Sequence, residues 1–286
     1  EADRMKNLKF DDKEIISEIE VVKEERRLRT DDNPVSKTFE KIMLNAYGMN
    51  DYGIPIIGTM KDIGSITKSN LQAWYKLYYQ PENAIVIIAG NFDKEKVKEY
   101  IEKYYGRINS ERQAPVIKDY INFDTVDYLE VYEKVARPIV FIGFKKTKFN
   151  KNKAREFYAL DLFIEVMDGG YSSRLTEHLV NDKKIALDTF ISNDTYNQHS
   201  NLIIIGGTPR GNVTSIDLKT SILEEFSKIK IDGITVNELN SAKARIQANN
   251  VYKLDSVLNQ AMQVGMLETK NISWKELDRY MSIIKT

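Results

Sequence analysis

Apolar residues recur at helical spacing over much of the chain and fall into short unbroken runs elsewhere, and that contrast predicts its elements. Asp11 and Asp12 are good N-cap residues for a helix running to about Thr30, and Pro34 restarts a second one through Tyr47. The Gly- and Pro-containing residues 47–62 read as an extended loop. Thr67 or Ser69 then starts a helix that places Leu71, Trp74, Tyr75 and Tyr78 on a core face and that Pro81 ends. Residues 84–90, AIVIIAG, form a continuous apolar run of strand length, the pattern of a strand buried on both faces. Asp93 caps an amphipathic helix to about Tyr105.

Residues 109–120, with Pro115 among mixed polar residues, are the best candidate boundary, and 111–120 are read as the linker itself. A new module follows. Residues 128–134 and 139–146 read as strands split by Arg137-Pro138, and residues 152–167 have helical periodicity that Gly169-Gly170 stops. Ser172 or Ser173 caps the next helix, to about Asp182. Strand-like runs follow at 186–192 and 202–208, and the tail from Asn212 is helical. Strands, helices, strands and helices in that order predict mixed α+β layers with helices covering one sheet face.

Composition narrows the function classes. The 286 residues suit two domains. With 42 basic and 42 acidic residues and no long single-sign run, nothing asks for nucleic acid or an anionic membrane as partner. No apolar run reaches the roughly 20 residues of a membrane-spanning helix. The absence of cysteine excludes disulfides and thiolate metal sites. It leaves the compartment open, the periplasm or cell envelope being favoured over the cytoplasm for a bacterial source. Most of the 16 Tyr, 11 Phe and 2 Trp lie at helix or strand periodicity and read as core. The chain starts on Glu1, with helical turns already under way, and reads as a fragment.

Two glutamates, Glu18 and Glu25, lie seven residues apart on the first long helix and so share one face, two turns apart. A metal ligand and its supporting acid are arranged this way. So is a solvated helix face, and residues 11–32 are charged nearly all round, with Glu24, Arg26, Arg27 and Arg29 placed for ion pairs along an exposed surface. The two histidines, His178 and His199, fall on a predicted helix and in a turn between strands. They do not make a metal-binding pair and read as polar or half-buried residues. Gly169-Gly170-Tyr171-Ser172-Ser173-Arg174 lacks the phosphate-loop pattern and follows no strand, so it reads as a helix-to-helix turn.

Several strings in order carry a resemblance. EADRMKNL, then VVKEERRLR with Asp32-Asn33-Pro34, YGIPIIGTMKDI and YYQPENAIVIIAGNF resemble the insulinase/pitrilysin family of zinc metallopeptidases, the inverzincins. GGYSSRLTEHLV, VYKLDSVLNQAMQVGMLE and LDRYMSIIK extend the match to the end of the chain. The resemblance implies an α+β fold of two similar domains in tandem, each a mostly antiparallel mixed sheet covered by helices. Residues 1–110 would be the C-terminal part of the zinc-site domain, here incomplete, and 121–286 the second, non-metal domain.

It also implies a metalloendopeptidase that hydrolyses peptides or unfolded polypeptides by metal-activated water attack, with substrate lying as an extended strand on a sheet edge. Glu25 maps to the third zinc ligand and Glu18 to the acidic residue that supports it, while the HxxEH segment with its two histidines and general base lies upstream of this chain. The 286 residues alone are therefore expected to be inactive and not to retain Zn2+. Family members that complete substrate binding in the second domain carry an Arg and a Tyr where this chain has Val180 and Leu187, which cannot donate to an oxyanion. A homologous partner subunit bearing that pair is the expected complement. The rival expectation is a catalytically silent structural subunit.

Overall fold

The computed structural model describes residues 1–48, 52–108 and 130–286, and it divides into two compact units. One comprises residues 1–86 and 90–135, the other residues 87–89 and 136–286. The proposed linker at 111–120 lies outside the described residues.

Among its described residues, the regular elements of the first unit are all helices. After a short α1 (Ala2–Asn7), Asp11 accepts from the backbone N–H groups of Lys13 and Glu14 and opens α2 (Asp12–Arg26). This helix runs into a π-helical turn (Arg27–Asp31), closed by the Asp32 N–H donating to the Arg27 carbonyl at 2.8 Å. Asn33 caps α3 (Pro34–Tyr47), with Pro34 at its first position. Thr59 and Asp62 then form a capping box for α4 (Met60–Ser65), inside the stretch the pattern reads as extended loop. The correction has a local cause, since one turn with a reciprocal cap needs no apolar period. Thr67 and Asn70 cap α5 (Lys68–Tyr78) in the same way, and Asp93 caps α6 (Lys94–Tyr104).

The strand expected at 84–90 is not a strand. The backbone is extended at Ala84, with φ −118 and ψ 142, but it pairs with no ladder partner among the described residues. Ile85, Val86 and Ile88 are accordingly left half exposed. Of the strand expected at 128–134, residues 128 and 129 lie outside the described residues and 130–134 join no ladder. There Glu133 receives Lys41 at 2.7 Å and Lys37 at 3.3 Å, both from α3.

The second unit holds an antiparallel sheet in the order β1 (Val140–Lys146), β3 (Asn201–Pro209), β2 (Ala186–Ser192). Central β3 pairs Ile205 with Ile142 on one side and with Ile191 on the other. Gly206 and Gly207 lie where the neighbouring backbone comes closest: a Cβ on Gly206 would stand 2.2 Å from the Val140 carbonyl oxygen. The helices are α7 (Ala154–Asp168), a largely π-helical turn (Thr176–Asp182), α8 (Ser215–Asp232), α9 (Val236–Leu254), α10 (Val257–Thr269) and α11 (Glu276–Lys285). The main core joins Val140 and Ile205 from the sheet to Met167, Leu179, Leu218 and Ile222 from the helices. A second cluster gathers Phe157, Tyr158, Ile246 and Ile284. The fold is α+β, with one small antiparallel sheet among the described residues and a helical cover.

Candidate metal-site helix

Glu18 and Glu25 lie on the single unbroken helix α2, so the seven-residue spacing holds and both carboxylates leave the same face. At about 1.5 Å per residue their Cα atoms are roughly 10 Å apart along the axis, two helical turns. Glu18 is exposed. The Glu25 side chain is 39% exposed and receives Arg29 Nη1 at 2.9 Å, while Arg27 pairs with Glu24.

Arg26 departs from the exposed ion-pair row read in the sequence. It is 7% exposed, and its guanidinium makes four hydrogen bonds away from the solvent. Nη1 donates to Glu40 Oε1 at 3.0 Å and to the Gly58 carbonyl at 2.7 Å. Nη2 donates to Glu40 Oε2 and Asp31 Oδ1, each at 3.0 Å. This forked pairing, led by Glu40, raises the Arg26 pKa despite partial burial. One residue beyond Glu25, then, α2 is bolted to α3 and to the loop before α4, and the π turn begins at the next residue. Sequence reasoning missed Arg26 as an anchor because Glu40 and Gly58 lie 14 and 32 residues away.

In the second unit, Val180 packs half-buried against the main core. Leu187 falls at a register shift in β2 between Ala186 and Asp188, the geometry of a β-bulge. Neither is a hydrogen-bond donor. The Gly-Gly-Tyr-Ser-Ser-Arg turn is used internally: Ser173 is buried and its Oγ donates to the Gly170 carbonyl at 2.6 Å. Arg174 pairs with Glu238, which itself caps α9, and donates to the Gly233 carbonyl at 2.9 Å. Arg174 in turn holds the Glu238 carboxyl down at about 2.

His178 sits on the second π turn with Nδ1 2.7 Å from Glu225 Oε2. Burial pushes the Glu225 carboxyl up, but Lys228, His178 and Lys183 outweigh it and bring it down to about 2. His199 lies on the connection between β2 and β3, where its carbonyl accepts from Asn197. Two aspartates of α7 hold β2 and the turn after it. Asp161 accepts from Asn193 at 2.8 Å and from Thr195, and Asp168 accepts from the Ile191 N–H at 2.8 Å and from Thr189 at 3.0 Å. Burial pushes each up to about 6.

No group of three His, Cys, Asp or Glu side chains able to hold a metal ion forms among the described residues. A lone carboxylate with no histidine beside it does not fit a zinc site on its own, because zinc in such enzymes takes three protein ligands.

A family model described as the Peptidase M16 inactive domain matches residues 65–246, well over half of the chain. The chain belongs to the M16 peptidase family. This M16 chain is similar to the zinc protease PqqE of Helicobacter pylori, 30% identical over 260 residues that cover 89% of this chain and 57% of the relative. It is also similar to the zinc protease YmxG of Bacillus subtilis, 26% identical over 281 residues that cover 98% of this chain and 66% of the relative. The M16 chain thus spans less than two thirds of the length of either. Among solved structures, the crystal structure of a protease from Helicobacter pylori matches with a TM-score of 0.88 at 27% identity, over 99% of this chain and 68% of that one. The M16 inactive domain from Pseudomonas fluorescens shares the fold, at a TM-score of 0.77 and 16% identity.

Proposed function

We propose that this chain is part of a zinc-dependent endopeptidase that hydrolyses peptides or unfolded polypeptides, with Glu25 as one protein ligand of the zinc and Glu18 supporting it. The observation that carries the reading is the seating of Glu25. It is partly exposed, its pairing with the exposed Arg29 is one that solvent screens, and its backbone is fixed by the buried Arg26 one residue on. A direct ligand needs that combination of a rigid base and a head group held only by a solvent-screened pair. The names of the relatives, zinc proteases, point to the same metal. The remaining ligands and the general base come from residues outside these 286, so zinc supplies its Lewis acidity only in the complete protein. Val180 and Leu187 offer no oxyanion donor, which supports a homologous partner subunit carrying the Arg/Tyr pair.

The test is Glu25→Gln in the full-length protein, with bound zinc measured by mass spectrometry and turnover measured on unfolded casein. Both are expected to be lost. Glu18→Gln is expected to weaken zinc binding about 10–100-fold, as for a group that orients a ligand. Retention of zinc and full turnover by Glu25→Gln would refute the assignment. One observation favours the second reading, a silent structural subunit: the matching family model is described as the inactive domain. Zinc-free, inactive full-length protein would establish that reading.

A further inference from the structure

The turn between β1 and α7, FKKTKFNKNK, carries five lysines in residues 144–153. It forms one wall of a groove of about 880 Å³ in the second unit. The end of α10 also lines it, where Asn271 takes φ 56 and the Ile272 N–H returns to the Leu267 carbonyl at 2.9 Å. This αL stop, with Asn in the position usually given to Gly, holds residues 271–273 in a fixed shape. Phe149, Phe157, Leu160 and Ile272 give the groove an apolar part of its lining.

The charge on the groove is one-sided. Among the described residues, Lys146, Lys148, Lys151 and Lys153 line it beside Glu156 and Glu276. Glu276 is already engaged, receiving the Tyr158 hydroxyl at 2.9 Å and Arg279 at 3.2 Å, and Glu156 lies 3.7 Å from Lys153. Lys146 is 7% exposed and donates inward to Asn193 at 2.5 Å, so it adds field rather than contact, whereas Lys151 and Lys153 stand exposed at the rim. In a chain of zero net charge this excess is local.

We propose that this groove binds an acidic segment of polypeptide, its carboxylates toward Lys151 and Lys153 and its apolar side chains on the apolar lining. The volume is that of a pocket for a few residues. Asn152 and Asn271 bring amide side chains, which match the donors and acceptors of a peptide backbone. Nucleic acid fits less well. Among the described residues no arginine lines the groove to fork onto phosphate, and the Phe149 ring is engaged edge-on by Phe157 at 5.2 Å and Tyr196 at 5.0 Å rather than open to a base. The site is independent of Glu25 and of any metal, and it stands whether or not the peptidase reading does.

The experiment is fluorescence polarisation on the purified chain with labelled short peptides of equal length, alternating Leu with Glu, with Lys or with Ser, beside a labelled single-stranded DNA. The Glu/Leu peptide is expected to bind, less tightly as salt rises, and the other two peptides not to bind. The double variant Lys151→Glu/Lys153→Glu is expected to lower its affinity by about tenfold or more, and Lys151→Gln/Lys153→Gln by less, with an unchanged thermal melt in both. No binding of the Glu/Leu peptide, or binding indifferent to these substitutions, would overturn the proposal. DNA bound as tightly through the same lysines would replace it with a general polyanion site. Turnover is not read, so this outcome and that of the Glu25 test are separable.

Discussion

Replacing Arg26 by Met keeps the aliphatic stem and removes the fork, leaving Glu40, Asp31 and the Gly58 carbonyl without their shared donor. Breaking a fully buried ion pair from one side costs about 3–5 kcal/mol. Here the acidic side chains are 24% and 34% exposed, so water recovers part of the loss. A cost of about 2–3 kcal/mol for the first unit follows. Lysine in the same place keeps the charge without the fork and is expected to cost about 1–2 kcal/mol. The chain offers a clean readout because its two tryptophans divide between the units, Trp74 on α5 and Trp274 in the second unit. In a Trp274→Phe background, urea unfolding followed by fluorescence reports the first unit alone. With a slope of about 1–2 kcal/mol per molar urea, Arg26→Met is expected to lower the midpoint by about 1–3 M. A change below about 0.5 kcal/mol would show that the contacts between α2 and α3 hold without the clamp and would refute the reasoning.

Two further substitutions probe the second unit through Trp274 in a Trp74→Phe background. The folded-state pKa values of Asp161 and Asp168 are raised from 3.8 to about 6, so the folded form binds these protons more tightly than the unfolded chain. Their contribution is therefore fullest below about pH 4 and is lost as pH rises from 4 through 6, at up to about 3 kcal/mol each. Asp161→Asn is expected to flatten that part of the stability profile, and an unchanged slope between pH 4 and 6 would contradict the burial argument. Glu225→Gln removes the charge that gathers His178, Lys183 and Lys228 and is expected to cost about 2–3 kcal/mol at pH 7 in urea titrations. A fully stable variant would show that His178, Lys183 and Lys228 need no buried anion.

What could be read in advance was whatever a single segment encodes. Asp11, Asn33, Thr67 and Asp93 cap helices where the pattern puts helix starts, because a cap is a contact over two or three residues. β1, β2 and β3 fall on their expected runs. The shared face of Glu18 and Glu25 follows from helical pitch alone. Residues 84–90 show the limit of this logic: an apolar run predicts an extended backbone, but a strand also needs a neighbour, which local pattern does not supply. Partners far apart in sequence were equally invisible, from Glu40 for Arg26 to Thr195 for Asp161, 34 residues on. A helical wheel shows arginine as one more surface cation until its acceptors are known.

The π turns at Arg27–Asp31 and Thr176–Asp182 bear on how related chains are compared. A π turn is an α-helical turn holding one inserted residue, and losing that residue restores ordinary pitch without breaking the helix. A relative with a deletion there would present every later side chain of that helix about 100° around the axis. Counting outward from Glu25 toward Arg29, or from Arg174 toward Val180, is thus a safe guide to shared position only between chains that keep the insertion. Superimposed backbones, rather than fixed spacings, are what can match these side chains across the family.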